Sequence, residues 1–450
     1  MSFLAELPLI GPTLAAAIPF ILVLGIVVAV HEYGHYIVAR WCGIGADVFS
    51  VGFGKELIGW TDSRGTRWKI SALPLGGYVK FYGDADASSS ARDDAAIAAL
   101  PAEKRAHSFH TASVERRAAT VAAGPFANFL LSIAIFAVMA MVQGAASPRP
   151  VIGAIAEDAD PSFAAAFAPG DEVRAIDGAP VADFAGLLEA LRGVEGREAR
   201  AVLLRDGVER EVAFTFAAPA RIDGLTPGGA AEEAGLRAGD VIVAIDGAQL
   251  GGFADLQARV AASEGRPLTV EALRGEETLT VSLTPQLREA ADPATGETVT
   301  RPLIGITKSA TEVQPLIESV GPLSALAVGV ERTWTIVDLS LTGIRDVVVG
   351  AQPADEVLGG PIRIAQISGD AADQGIVVFI GLVAVLSTSI GLINLFPIPI
   401  LDGGHLMFYA IEKATGRPLR ERWMEIGNGI GLALVLSLMI FATFNDIARL

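Results

Sequence analysis

Three histidines and two carboxylates stand out in this chain because their types and spacing suit metal-dependent hydrolysis. His31, Glu32 and His35 form the pattern His-Glu-Tyr-Gly-His directly after a long apolar run. On a helix, positions i and i+4 share one face, so the two histidines can bind one metal ion while Glu32 stands beside it. Asp402 and His405 end a second motif, Asn-Leu-Phe-Pro-Ile-Pro-Ile-Leu-Asp-Gly-Gly-His, which closes another uncharged run. Ionisable groups at membrane depth are costly, so we expect a functional site.

A hydrolytic zinc site needs three protein ligands, an open position for water and a base that takes the proton of that water. His31 and His35 supply two nitrogen ligands, and Glu32 is the expected general base. Asp402 is a candidate third ligand because it is the carboxylate attached to the third apolar run. His405 would share a helix face with it, so the spacing alone leaves both open.

The second motif also predicts an interrupted helix. Pro397 and Pro399 each lack a backbone donor and stop a helix from continuing normally. Non-helical backbone at membrane depth survives only where protein or a water-filled cavity satisfies it. We therefore expect the segment from Asn394 to Asp402 to line such a cavity, with Asn394 able to hydrogen-bond an extended substrate.

Four segments are long and apolar enough to cross a membrane, since a spanning helix needs about 20 mainly apolar residues. They are approximately Leu14–Cys42, Ala118–Gly144, Gly375–Leu401 and Ile426–Asn445. An even number of spans places both termini on one side. Residues 1–39 contain no Lys or Arg, whereas the loop 40–117 contains eleven, so this loop is expected to face the cytoplasm and both termini the periplasm.

Composition narrows the classes of partner. The chain has 450 residues, is 51% hydrophobic and carries a formal net charge of −17, which argues against a nucleic-acid partner. Its single cysteine, Cys42, excludes an internal disulfide. His107 and His110, in the polar stretch before the second span, are interpreted as exposed loop residues.

The region between the second and third spans repeats itself at an offset of 69 residues. Asp171 corresponds to Asp240 and Asp177 to Asp246, within matching stretches of glycine, β-branched and aromatic residues. Each copy predicts a turn, a short strand, an Asp-Gly turn and an amphipathic helix. We expect two small β-rich domains here.

These copies resemble the bacterial type of PDZ domain. The second copy matches better, with Leu-Thr-Pro-Gly-Gly-Ala at residues 225–230 and a hydrophobic-glycine loop at 303–306. PDZ domains bind an extended peptide at a sheet edge, so peptide ligands are expected for the second copy. In the first copy the Pro-Gly-Gly-Ala element is degraded, so the sequence leaves peptide binding there open. A second alternative is that both copies are spacers that bind no ligand.

The two histidine-containing motifs together resemble the site-2 protease family of intramembrane zinc metalloproteases. The stretch Arg117–Asn128, with its Gly-Pro-Phe-Ala-Asn, is similar to the family's element in the second span. The resemblance implies that His31, His35 and Asp402 bind Zn²⁺, that Glu32 activates water and that Asn394 helps to hold substrate. It also implies a bacterial inner-membrane enzyme of regulated intramembrane proteolysis. Its partners would be the lipid bilayer and single-span membrane proteins, of the anti-sigma-factor type or remnant signal peptides.

The expected fold is a polytopic α-helical membrane protein with four transmembrane helices and two periplasmic, β-rich, PDZ-like domains. Its parts in order are a first transmembrane helix with the zinc motif (1–42), a cytoplasmic loop with a membrane-associated β-hairpin (43–117), a second transmembrane helix (118–144), the first PDZ-like domain (150–218), the second (219–307), an amphipathic connecting region (308–373), a third transmembrane helix (374–401), a cytoplasmic loop (402–425) and a fourth transmembrane helix (426–446). The hairpin is expected around Trp68–Phe81, with Gly76 and Gly77 at its turn.

Two other classes of function compete with proteolysis. A non-catalytic membrane scaffold could use the PDZ-like domains to hold peptides, but it has no need of Glu32 beside two metal ligands. A metal transporter would be expected to carry more polar residues on several spans than the fourth span offers.

Overall fold

The computed structural model describes residues 11–84, 97–98, 100–156, 159–226, 228–275, 277–291, 298–308, 312–352, 354, 359–417, 419 and 421–448. The chain forms two compact units. The first comprises Met1–Val142, Gly321–Val348 and Pro353–Leu450, and the second comprises Gln143–Val320 and Val349–Gln352. The predicted periplasmic positions of the two termini concern residues 1–10 and 449–450, which lie outside the described residues.

The first unit is mainly helical. Its helices are α1 (Gly11–Trp41), α2 (Ala102–Ala106), α3 (Val114–Gln143), α8 (Pro322–Val348), α9 (Pro361–Gln374), α10 (Ile376–Leu395), α11 (Asp402–Thr415) and α12 (Glu421–Ala448), where α4 to α7 belong to the second unit. Four stretches are long and apolar enough to cross a membrane: Ala15–Trp41, Val114–Gln143, Ile376–Leu395 and Arg422–Ala448. The four predicted spans are thereby confirmed as helices of suitable length and composition.

Small residues bring the spanning helices close together. A Cβ atom added to Gly34 of α1 would lie 2.5 Å from the Ala123 carbonyl oxygen of α3, so no larger residue fits there. The Ser132 hydroxyl donates to the Ala384 carbonyl at 2.7 Å, and the Ser387 hydroxyl donates to the Asn128 carbonyl at 2.9 Å. Close backbone approach and interhelical hydrogen bonds of this kind hold helices together where lipid supplies no hydrophobic driving force.

A bent β-sheet follows the first helix. It consists of β1 (Ala46–Thr61) and β2 (Arg67–Phe81). The first part of β1 pairs with β2 along both of its edges, so that Val48 lies opposite both Lys80 and Arg67. The predicted hairpin exists, but its predicted turn at Gly76 and Gly77 is wrong. The turn lies at residues 62–66, where the Asp62 carboxylate accepts from two backbone amides, and Gly76 instead bends β2 at a φ of +145°.

The third predicted span ends earlier than residue 401. Helix α10 stops at Leu395 because Pro397 and Pro399 follow, and the backbone then turns through Ile400 at a φ of +86°. The expected interruption of the helix is therefore present. Helix α11 begins at Asp402, in a region that the sequence suggested was a loop. Similarly, the connecting region 308–373 contains two helices, α8 and α9. The residues that they bury are mostly small or polar, such as Gly329 and Thr333 of α8 and Ser368 and Gly369 of α9.

The second unit contains two copies of one topology. Its strands are β3 (Ala145–Ala146), β4 (Ile152–Ile155), β5 (Glu172–Ile176), β6 (Ala179–Pro180), β7 (Glu198–Arg205), β8 (Val208–Thr215), β9 (Gly224–Leu225), β10 (Val241–Ile245), β11 (Ala248–Gln249), β12 (Leu268–Arg274), β13 (Glu277–Leu283), β14 (Gln286–Ala291), β15 (Thr298–Leu303), β16 (Ile306–Thr307), β17 (Val313–Pro315) and β18 (Ile317–Glu318). Its helices are α4 (Pro161–Ala166), α5 (Phe184–Gly193), α6 (Ala230–Glu233) and α7 (Phe253–Ala262). The four-stranded sheets have the orders β6-β5-β7-β8 and β11-β10-β12-β13, so the predicted repeat is confirmed.

Each of the two copies contains an equivalent ion pair. Arg205 contacts Asp171 at 2.6 Å in the first copy, and Arg274 contacts Asp240 at 2.8 Å in the second, again at the offset of 69. Both carboxylates are buried, and the hydrogen bond from Arg274 outweighs the effect of burial and holds the pKa of Asp240 below its ordinary value.

The boundary between the copies differs from the expected one. Strand β17 follows the second copy in sequence but pairs with β4 of the first, and Val313 is buried in the core of the first. In the second copy, the late strand β16 likewise pairs with the early strand β9. The first domain therefore includes residues beyond 307, and the second copy is inserted into it. A repeat that is visible over 19 residues (169–187 and 238–256) could not reveal a three-residue strand that pairs from a distant part of the chain.

Candidate metal centre

The two histidines of the first motif lie on one face of α1, as the i, i+4 spacing predicts. Their Nε2 atoms are 3.2 Å apart, with the ring planes at 86° to each other. His31 is buried, and only 12% of the His35 side chain is exposed. Two imidazole nitrogens thus converge on one point within the helical unit.

A carboxylate from the other motif completes the cluster. The Oδ2 atom of Asp402, the first residue of α11, lies 3.1 Å from His31 Nε2 and 3.5 Å from His35 Nε2. Possible ligand atoms of these three residues all lie within 4.8 Å of one another, and they form the one such His, Cys, Asp or Glu group found in the described residues. His405 is not part of this group.

The tight turn before α11 positions Asp402 next to the two histidines. A Cβ atom on Gly403 would lie 2.2 Å from the Phe396 carbonyl oxygen, and one on Gly404 would lie 2.4 Å from the Ile398 carbonyl oxygen. Both glycines are needed so that the start of α11 can pack directly on the chain between the two helices. Asp402 thus places its carboxylate beside both imidazoles.

Helix α3 fixes the orientation of both imidazoles. His35 Nδ1 lies 2.9 Å from the Thr120 carbonyl oxygen, which accepts a hydrogen bond from Nδ1–H and leaves Nε2 free to bind a metal. The side-chain amide of Asn128 lies 3.3 Å from His31 Nδ1 and is fully buried. Nothing in the sequence points to Thr120, because a backbone carbonyl acceptor leaves no signal in residue type, and Asn128 stands out only through the family resemblance.

Glu32 lies beside the histidines and faces β2. The Val79 backbone hydrogen-bonds to its carboxylate, and a Cβ atom on Gly77 would come within 3.1 Å of Glu32 Cγ. The edge segment 77–81 of the sheet is thus placed against the helix that carries the first motif. A base next to two ligands, but off their face, suits a role in taking a proton from water.

One cavity of about 380 Å³ brings the predicted residues together. It is lined by His31, Glu32, His35, Asn394, Asp402 and His405, together with Tyr409 and residues of the sheet edge. Burial lowers the pKa of His405, and burial raises the pKa of Tyr409 to about 12, so both are neutral near pH 7. Sequence reasoning missed Tyr409, which shares a face of α11 with Asp402 and His405.

The donor set fits zinc. Asp402 Oδ2 is buried and has no hydrogen-bond partner among the described residues, although two ring nitrogens lie within 3.5 Å of it. An orphaned carboxylate oxygen between two imidazoles is the arrangement expected around a cation. Two nitrogens and one oxygen leave a fourth, open position in tetrahedral geometry, as in catalytic zinc sites.

We expect Gly124→Ala to weaken zinc binding by about 10- to 100-fold, the usual cost of disturbing the surroundings of a metal ligand. A Cβ atom at this position would lie 2.3 Å from His35 Nε2, so the imidazole must move. Zinc affinity, measured by competition with a fluorescent chelator, tests this. Gly25→Ala on α1 is the matched control, because its Cβ atom meets nothing within 4 Å. Equal affinity in both variants would contradict the packing argument.

Nearly the whole chain is similar in sequence to known proteins. The profile of a family described as "Peptidase family M50" matches residues 19–438. A candidate zinc metalloprotease of Agrobacterium fabrum is 40% identical over 433 residues, which covers 96% of each chain. The regulator of sigma-E protease RseP of Salmonella typhimurium is 35% identical over 458 residues, covering 96% of this chain and 98% of that protein.

Proposed function

Because this chain belongs to peptidase family M50 and is an intramembrane zinc metalloprotease, we propose that it cuts proteins that cross the membrane once. The observation that carries the proposal is the convergence of His31, His35 and Asp402 in a cavity that also contains Glu32. Two of these ligands belong to a spanning helix, and the third lies seven residues beyond the end of another such helix. A substrate must therefore come to the membrane to be cut.

The residues divide the work of hydrolysis among them. His31, His35 and Asp402 hold the zinc ion, which when bound acidifies water and polarises a carbonyl group. Glu32 takes the proton of the attacking water and returns it to the leaving amine, as a general base and then a general acid. Thr120 and Asn128 keep the two imidazoles oriented, so that little reorganisation is needed during the reaction.

The cavity also suggests how a helical substrate is held in an extended form. Gly77, Tyr78 and Val79 line it, and they belong to an edge of the β-sheet. An extended segment can add to such an edge through backbone hydrogen bonds. Asn394 lines the same cavity and can offer its side-chain amide to the backbone of that segment. We propose that these groups together bind the unwound peptide around the scissile bond.

The two repeats of the second unit are proposed to be PDZ-like. In the second copy, residues 303–306 and helix α7 line a small cavity of about 90 Å³, the arrangement of a peptide groove. Pro227 of its Pro-Gly-Gly-Ala element lies outside the described residues. We propose peptide binding for the second copy. No ligand is proposed for the first, whose residues 309–311 before β17 are likewise not described.

The name of the Salmonella relative suggests a setting. We propose that this chain lies in a bacterial inner membrane with its termini and second unit in the periplasm. There it would cut a membrane-bound regulator of the anti-sigma-factor type, or remnant signal peptides. The charge distribution supports this orientation, since eleven Lys and Arg residues occur between Arg40 and Arg117 and none precedes them.

We expect the purified protein in detergent to cleave a single-span reporter within or near its span. Removal of zinc with 1,10-phenanthroline should stop cleavage, and added zinc should restore it, because the cluster is the source of the reactive water. Products are located by mass spectrometry. A reporter whose span is replaced by leucines should be cut more slowly, since a stable helix resists unwinding. Cleavage that survives chelation would refute the proposal, and zinc binding without cleavage of any span would favour a scaffold.

A further inference from the structure

A second cavity in the first unit has no part in the proposed proteolysis. It has a volume of about 490 Å³ and is lined by Arg40, Arg64, Tyr82, Glu103, Lys104 and His107 together with backbone of residues 43–45. It shares no lining residue with the cavity of the metal centre. We call it the Arg40 pocket. Its size falls in the range of small-ligand sites.

The walls of the Arg40 pocket are held by the backbone. Helix α1 ends at Trp41, and the chain then turns at Gly43 with a φ of +78°, a conformation that suits glycine. His107 Nδ1 donates to the Gly43 carbonyl oxygen at 2.6 Å, and the Gly45 amide donates to the His107 carbonyl oxygen at 2.9 Å. A Cβ atom on Gly45 would lie 2.2 Å from the Tyr82 ring. The pocket is therefore formed without a ligand.

Positive charge dominates this pocket. Neither Arg40 nor Arg64 forms a side-chain ion pair with any residue that the structure describes. Lys104 contacts Asp47 at 2.8 Å and lies 4.4 Å from the centre of the Tyr82 ring. Its ammonium group is therefore held in place, and Asp47 balances part of its charge. Glu103 is the one acidic side chain among the residues that line the pocket. Two guanidinium groups that have no ion-pair partner among the described residues, in a concave site, favour a ligand with net negative charge.

The position of the pocket indicates which kind of negatively charged ligand it binds. Arg40 lies in the last turn of α1, at the end of the membrane-spanning stretch Ala15–Trp41. Trp41, beside it, is 76% exposed, as expected for an aromatic residue anchored at the level of the lipid headgroups. Basic pockets at the ends of spanning helices are suited to the headgroups of anionic lipids.

We propose that the Arg40 pocket binds the phosphodiester headgroup of an anionic phospholipid. Arg40 and Arg64 contact the phosphate oxygens as charged donors, and Lys104 adds a third positive charge beside them. The shared chemistry is a phosphate ester, which a soluble glycerol phosphate also carries. The lipid is favoured because the pocket lies where its headgroup is already concentrated.

Native mass spectrometry of the full chain tests this proposal. Protein is released from micelles that contain equal amounts of phosphatidylglycerol, phosphatidylethanolamine and phosphatidylcholine, and the retained lipids are counted. We expect at least a fivefold preference for phosphatidylglycerol in the first retained lipid. The variant Arg40→Gln/Arg64→Gln should reduce this preference to near one, whereas Arg417→Gln should keep it. Arg417 is an exposed arginine in another loop and serves as the matched control.

A variant that is expected to bind the lipid more strongly tests whether a loss of binding in the double variant is caused by misfolding. Glu103→Gln removes the acidic side chain of the pocket and should raise the phosphatidylglycerol preference two- to threefold, which a damaged fold cannot do. Millimolar glycerol 3-phosphate should leave lipid retention unchanged. Displacement of the lipid at that concentration would assign the pocket to a soluble phosphate ester. A preference for phosphatidylethanolamine, no preference at all, or an unaltered preference in the double variant would each overturn the proposal.

Discussion

Replacing Glu32 by glutamine is expected to lower the rate of reporter cleavage by at least about 10²-fold while zinc content stays at one ion per chain. General acid–base catalysis contributes roughly 10²- to 10⁴-fold, and glutamine keeps the size of the side chain but cannot take a proton. Glu32 lies beside the ligands without belonging to the cluster, so its loss should spare zinc binding. Cleavage rates by gel densitometry and zinc by mass spectrometry are measured on the same preparations.

Two controls make the result for Glu32→Gln interpretable. Glu331→Gln, on the exposed face of α8, makes the same chemical change away from the cavity and should leave both rate and zinc content unchanged. Substrate binding should also survive in Glu32→Gln, so the inactive variant is expected to copurify with the uncut reporter. If Glu32→Gln still cleaves at a rate near that of the unaltered chain, Glu32 is not the base and the assigned mechanism fails.

Asp402→Asn is expected to weaken zinc binding by more than the roughly 10- to 100-fold that loss of an outer-shell partner costs, and to abolish cleavage at ordinary zinc concentrations. The substitution removes the anionic ligand whose Oδ2 atom lies between the two imidazoles. Amide oxygen is a much poorer zinc ligand than carboxylate, and the side chain otherwise keeps its shape. Competition with a fluorescent chelator gives the affinity.

His405→Gln is the matched comparison because it decides between the two candidates that the spacing left open. His405 lines the same cavity but lies outside the cluster of three ligand atoms, so its loss should leave zinc affinity within a few-fold. Cleavage by this variant reports separately on a role toward substrate. Should His405→Gln lose zinc while Asp402→Asn retains it, the third ligand has been assigned to the wrong residue.

The local part of this site could be predicted from sequence, and its long-range part could not. The spacing of His31 and His35 dictates a shared helix face, so their convergence follows from helix geometry alone. The choice of Asp402 over His405 depends on where α11 begins, which is set by close packing of Gly403 and Gly404 against carbonyl groups. No periodicity records such a contact. The family resemblance supplied the choice instead.

The same limit explains the differences in the β-rich regions. Gly76 and Gly77 have the composition of a turn, yet Gly77 is required because β2 passes close to Ser50 and to helix α1. Glycine marks both turns and close approach, and sequence alone does not separate the two uses. The short strand β17 was invisible for another reason. Three residues carry too little pattern to show that they pair with β4, about 160 positions earlier.

The pairing of β3 with β18 has a consequence for how such a chain can change over generations. Ala146 lies opposite Ile317, so the polypeptide leaves the helical unit and returns to it along two adjacent strands. A gene that encodes this arrangement carries residues 143–320, most of the second unit, as a cassette with its ends side by side. Such a cassette can be gained, exchanged or lost by recombination at one place, and the gap that remains is short enough for a tight turn to close. The hydrolytic core and the second unit are therefore free to evolve at different rates.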